Sequence, residues 1–338
     1  MTSFNSIGDQ SRSYQLRLSQ YLLKGKLDTL TKEVATGIKD DIPGALNGDL
    51  SRISHIESRL TMLATYQQNA SEAKTTFEGM QTVLGRLQTS VNDLGPNVLS
   101  EANSSPDEIL RMRASQTSQD FRSMFIALNT NVAGRYIFSG NRTDTAPLGS
   151  FDDLISGLNT AVAGATTATD IATRIESWFD APIGMGGFAD AIYRGNDTGS
   201  AQISISNGRK VGTSLTANSD ELRNMMKGMA ILTYVAESGS GLDSATVRTL
   251  FRTSGEKLVN AGTELIIASS MIGLQEAATT KTQAQNTAES SALSIARSTL
   301  ISADPYETAT ALQETEASIQ NLYTLTARLS RLKLTDYL

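Results

Sequence analysis

Apolar residues in the last stretch of the chain, Pro305 to Leu338, recur at steps of three and four: Leu312, Thr315, Ile319, Leu322, Thr326 and Leu329. Leu325 and Leu332 widen that stripe, Asp304 stands before Pro305 as a candidate N-cap, and no further Pro or Gly follows. The spacing predicts an amphipathic helix with a coiled-coil-like seam. The other end carries a similar stripe, Leu16, Leu23, Leu27, Leu30 and Val34, with Phe4, Ile7, Tyr14 and Tyr21 beside it. It closes on Thr36-Gly37, a C-cap signal. An isolated helix of this size is marginal in water, because tertiary packing supplies most of its stability. Two such helices around a large body predict a chain folded back on itself, tail beside head.

Between the ends the pattern continues. Lys39 to Gly44 reads as a turn-rich link. From about Leu50, Ile53, Ile56, Leu60, Leu63, Ala70 and Ala73 begin a long helix. Phe77, Met80, Leu84, Leu87, Val91 and Leu94 carry it in four-three steps to an expected stop at Gly95-Pro96. Ser105-Pro106-Asp107-Glu108 reads as a capping box opening a second helix through Phe121 and Phe125 to Gly134, antiparallel to the first. Gly134-Arg-Tyr-Ile-Phe-Ser-Gly140 reads as a C-cap and a short strand. Beyond it, short helices are expected at Phe151–Leu158 and Ile171–Phe179. Strands are expected at Ala189–Arg194, Ala201–Ser206 and Lys210–Leu215, the last two joined by the hairpin signal Asn207-Gly208. Asn218-Ser-Asp-Glu221 caps a helix through Met225, Met226 and Met229, and helix resumes after Gly241 with Val247, Phe251, Leu258, Leu265 and Ile272.

The predicted fold class is mainly α, a long antiparallel helical bundle or rod built from both chain ends with a small α+β outer domain inserted in the middle. The expected division is residues 1–44 with 295–338 as a terminal paired-helix domain, 45–140 with 242–294 as a long-helix domain, and 141–241 as the insertion.

Composition narrows the function. A net charge of -6 and a pI near 5.0 argue against nucleic acid as a partner, since the basic residues are scattered. Cys is absent, which removes disulfides, thiolate metal ligands and thiol nucleophiles. No apolar run approaches a membrane span, and the start at Met1-Thr2-Ser3-Phe4 lacks a secretory signal, so no membrane partner is expected. His55, the one histidine, reads as a surface or packing residue of a helix, and a single His without Cys cannot build the usual zinc site. Gly184-Met-Gly-Gly187 fails the dinucleotide pattern. Asp40-Asp41 and Asp152-Asp153 read as loop charge and N-cap supply, and the Met225, Met226, Met229 group as core filling. No catalytic, cofactor or metal site is expected, and the chain is read as a non-enzyme.

Four stretches resemble one family. Leu30-Thr-Lys-Glu-Val-Ala-Thr-Gly37 is similar to the leucine-spaced segment ending in Thr-Gly that flagellins share. Where that family has a Pro-Ser-Asp-Asp-Pro-like turn, this chain has Lys39-Asp-Asp-Ile-Pro-Gly44. Gly134, Arg135, Tyr136, Ile137, Phe138 and Gly140 resemble the glycine–aromatic motif of the bacterial flagellar hook–filament junction (hook-associated protein 3) family of the flagellin superfamily. Asn141 to Pro147, Ile192 to Asp197 and the ending Leu329 to Leu338 are similar to that family's further segments. The resemblance implies an extracellular structural adaptor, exported through the flagellar type III channel without a cleaved signal. Its implied partners are the first hook-associated protein, flagellin, neighbouring copies in a ring and an export chaperone. The implied assembly interface is the two terminal stripes. Filament flagellin, a helical tip protein of another type III secretion system and a secreted enzyme stand as alternatives.

Overall fold

The computed structural model describes the chain from Ile7 to Thr335, with side chains from Ser11 to Arg328 apart from Ser240. It is mainly α, with two small antiparallel strand pairs. The helices are α1 (Ile7–Thr36), α2 (Ile42–Ala45), α3 (Ser51–Ser104), α4 (Asp107–Leu128), α5 (Phe151–Val162), α6 (Ala168–Asp180), α7 (Phe188–Ala191), α8 (Asp220–Glu237), α9 (Ser244–Ile301) and α10 (Pro305–Thr335). The strands are β1 (Asn131–Val132), β2 (Arg135–Tyr136), β3 (Ile203–Ser206) and β4 (Arg209–Val211). Two compact units share them: Met1–Leu63 with Ala288–Leu338, and Ala64–Thr287.

In the first unit α1 and α10 run antiparallel. Gly37 ends α1 at φ +68, a conformation that suits a residue without Cβ, and its N–H returns to the Glu33 carbonyl at 2.8 Å. An antiparallel bridge, Ile38↔Ser302, then joins the two crossings, with Lys39 N–H donating to Ile301 O and Ala303 N–H to Gly37 O. Asp304 caps α10 by accepting from the N–H groups of Tyr306 and Glu307 at 2.8 and 3.0 Å. Arg59 grips Glu289 with two hydrogen bonds of 2.6 and 3.0 Å and holds that carboxyl below its ordinary range.

The second unit has a continuous core. Phe77, Met80, Leu84, Leu87 and Val91 of α3 and Phe251, Leu258, Leu265 and Ile272 of α9 are buried in it. These two helices lie antiparallel and close: a Cβ on Gly255 would meet the Leu99 side chain, and one on Gly262 the Asn92 side chain. Phe121 and Phe125 of α4 pack edge-on against Phe151 of α5, and α8 is buried along most of its length.

Several local expectations need correcting. Pro96 does not end α3, which continues to Ser104. An interior proline costs about 3 kcal/mol, but Val98 and Ala102 keep the seam buried, and Arg248 donates to the Ala102 and Ser105 carbonyls. The capping box at Ser105 is not made: Pro106 is the cap residue with no side-chain bond, and Asp107 instead pairs with Arg248 at 3.1 Å. α4 stops at Leu128 rather than Gly134, because Ala133 and Gly134, at φ 50 and 83, turn the β1–β2 hairpin. Ala189–Arg194 is not a strand. α7 occupies its start, and only Tyr193 pairs, with Leu148.

Candidate assembly surface

The α1–α10 pair buries part of each terminal stripe. Leu30 is buried, and Leu16, Leu23 and Leu27 are half-buried along the same side of α1. On α10, Thr315 is buried, with Leu312, Ile319 and Leu322 half-buried around it. The Thr315 hydroxyl donates to the Ala311 carbonyl at 2.7 Å, so the seam tolerates a hydroxyl by bonding it within its own helix. Val34 and Leu325 are exposed, at 48% and 53%. Leu329 and Leu332 lie outside the residues whose side chains are described, as do Phe4 and the chain end beyond Thr335.

A second apolar face on α1 lies on its other side. Tyr14, Leu18, Tyr21 and Leu22 recur at steps of four, three and one, and all are exposed. Leu18 and Leu27 are separated by about two and a half helical turns, which sets them on opposite sides. Leucine spacing alone makes Tyr14 and Tyr21 flanks of the inner stripe. Leu18 and Leu22, at helical spacing from both, were the signal for a face of their own. Tyr306 and Tyr323 add exposed aromatics on α10. Aromatic rings that stand in water bring large apolar area to a contact at small entropic cost.

The Gly134–Gly140 motif belongs to the second unit and is an architectural knot. Phe138 is fully buried, its carbonyl accepts from Ala217 N–H at 2.9 Å, and the Ser139 carbonyl accepts from Asn196 N–H at 3.0 Å. The Ser139 hydroxyl donates to the Thr145 carbonyl at 2.5 Å. Gly140 sits at φ +64 with the Asn196 carbonyl oxygen where a Cβ would project. The Ile192–Asp197 segment therefore meets the motif directly. Gly134, Arg135 and Tyr136 form the hairpin's turn and outer strand, with Ile137 buried beneath.

Groups of chemical interest have structural partners. Asp41 caps α2 through the Gly44 N–H, and Asp40 approaches Lys32 and Thr29. Asp152 pairs with Arg122 at 2.8 Å. Gly184 and Gly186 donate their N–H groups to Asp190, which lowers its pKa and pins the glycine turn. His55 is exposed, and Met225, Met226 and Met229 are fully buried in the core. Among the described residues no three His, Cys, Asp or Glu side chains cluster as a metal site, and no helix is long and apolar enough to cross a membrane.

Neither the family models nor the curated proteins compared give a match to this chain. Among solved structures, one similar chain is a candidate flagellar hook-associated protein from Vibrio parahaemolyticus. It is 16% identical with a TM-score of 0.49, and the alignment covers 72% of this chain and 93% of that one.

Proposed function

We propose that the chain is a structural, non-enzymatic component of the bacterial flagellum, an adaptor layer between hook and filament. The observation that carries this reading is the doubly apolar α1. Its inner face is used by α10, and its outer face, Tyr14, Leu18, Tyr21 and Leu22, stands exposed. An exposed apolar face that is continuous over about two helical turns marks a contact surface. The resemblance of Gly134–Gly140 and the chain end to the hook–filament junction family, and of Leu30–Gly37 to a segment that flagellins share, supports the same reading.

On this proposal the paired ends, residues 1–44 and 295–338, are the assembly domain, and the stripes Leu16, Leu23, Leu27, Leu30 and Val34 and Leu312, Ile319, Leu322, Leu325, Leu329 and Leu332 are its interface. The outer face of α1 meets a neighbouring copy, the first hook-associated protein or flagellin. The helices of 45–140 and 242–294 form the rod, 141–241 faces outward, and the subunit leaves the cell through the flagellar type III channel. Repetition of one contact by rotation closes a ring.

The test is seeded polymerisation on purified hooks. An adaptor adds one thin layer and then accepts flagellin. Growth of long filaments from this chain alone identifies a flagellin instead, and failure to bind hook tips at all overturns the reading.

A further inference from the structure

One stretch of the second unit is packed unlike the rest. Where α3 and α9 bury large side chains elsewhere, here α3 buries only Ala70 and Ala73, and α9 buries Thr279, Thr282 and Asn286. Small and hydroxylated residues bring little apolar area out of water, so the helices gain little from each other at this point. Gln67 reaches across to the Thr287 hydroxyl at 2.6 Å, yet its own Oε1 is buried without a partner.

The β3–β4 hairpin covers this stretch, with Ile205 and Val211 fully buried. Its register shifts between Ser204 and Ser206, a bulge that takes Ile205 out of the ladder. Consecutive carbonyls of the bulged strand then serve the two helices. Asn69 Nδ2 of α3 donates to the Ser204 carbonyl at 2.9 Å, and Asn286 Nδ2 of α9 donates to the Ile205 carbonyl at 2.8 Å. The Arg209 guanidinium adds a 3.3 Å bond to the Thr282 hydroxyl. Each helix is thus tied to the hairpin where its apolar packing is thinnest.

We propose that the β3–β4 hairpin is a releasable strap. When it lifts, residues 64–73 of α3 and 279–287 of α9 lose their cover together and open as one local unit, while the Leu84–Val98 core stays closed. Its attachments among the described residues are two amides, one guanidinium and the apolar side chains of Ile203, Ile205 and Val211, a set small enough to break without global unfolding.

Hydrogen exchange followed by mass spectrometry on the full chain tests this, using a variant that touches neither helix. Gly208 turns the hairpin at φ +75, and no atom lies within 4 Å of where its Cβ would be. Gly208→Val therefore strains the turn alone. The expected result is exchange about tenfold faster in 203–211, 64–73 and 279–287 together, with 84–98 unchanged. Asn69→Ala with Asn286→Ala should accelerate the same three segments from the helix side. If Gly208→Val accelerates only the hairpin, or if all of 64–287 accelerates alike, the strap is wrong.

Discussion

The side-chain amide of Gln20 donates a 3.2 Å hydrogen bond to the hydroxyl of Tyr323, 303 residues further along the chain. With the Ile38↔Ser302 bridge it gives two points along the α1–α10 pair, and both require an antiparallel register. Gln20 is half-buried and Tyr323 exposed, so this bond adds about 1 kcal/mol. The register is set mainly by the half-buried leucines on either side of it.

That thin seam sets the first prediction. Ordering backbone costs about 1 to 2 kcal/mol per residue, and a half-buried stripe diluted by Thr315 and Gln20 offsets it poorly. Amides of α1 before Asp40 and of α10 should exchange much faster in the free monomer than those of Leu84 to Val98. They should gain protection on assembly. Equal protection of α1 and Leu84–Val98 in the monomer would refute it.

The second prediction concerns Gly140. A side chain there must adopt φ +64 and displace the carbonyl of Asn196, the residue whose N–H donates to the Ser139 carbonyl. Gly140→Val should cost about 3 kcal/mol, visible as a lower midpoint in urea. Gly134→Ala, at φ +83 but with open space around it, should cost only about 1 kcal/mol. Equal effects would mean that the close approach at Asn196 is unimportant.

Tyr193 supplies a pH dependence. Burial pushes its phenol up to about 12. The folded state therefore keeps this proton where the unfolded chain gives it up, and the fold loses stability as pH rises above the ordinary tyrosine value near 10. Below that value the group contributes no slope. Between about pH 10 and 12 the loss should be on the order of 1 kcal/mol per pH unit. Denaturation at stepped pH should show that slope in the wild type and a shallower one in Tyr193→Phe. The same slope in both would assign it elsewhere.

Much of this architecture was legible in residue spacing, and the misses share a cause. The four-three stripes gave α1, α3, α9 and α10, Asp304 and Gly37 gave their ends, and Asn207-Gly208 gave the second hairpin, because each is a local signal. Pro96 does not stop α3 because Val98, Ala102 and Arg248 compensate it from positions a local rule does not see. Ala189–Arg194 has strand composition, but Asp190 is turned to the Gly184 and Gly186 amides and the segment closes into a single turn of helix. The bonds from Asn69 and Asn286 to β3 were invisible, since nothing in the pattern marks two asparagines 217 positions apart as partners of one strand. On the surface, the inner stripe drew attention because leucines carry it. The outer one is interrupted by Arg17 and Gly25.

The last prediction separates folding from assembly with three charges. Leu84 is fully buried in the second unit's core, and an unpaired carboxylate there costs several kcal/mol, a large part of a domain's stability of about 5 to 15 kcal/mol. Leu84→Glu should unfold the monomer. Leu322 is only half-buried on a loosely held helix, so Leu322→Glu should shift the monomer's melting by no more than about 2 °C. On the proposed assembly the same carboxylate would be shut away from water, and hook binding should be lost. Leu22, on the outer face of α1 and 61% exposed, is the sharper probe. Leu22→Asp leaves the α1–α10 seam untouched, so hydrogen exchange in that pair should match the wild type while docking fails. Cells carrying Leu322→Glu or Leu22→Asp should therefore export the protein normally, end their flagella at the hook and shed flagellin into the medium. If Leu22→Asp cells swim as the wild type does, the outer face of α1 is not an assembly surface. If only Leu322→Glu cells swim, the inner seam is dispensable and the outer face alone carries the contact.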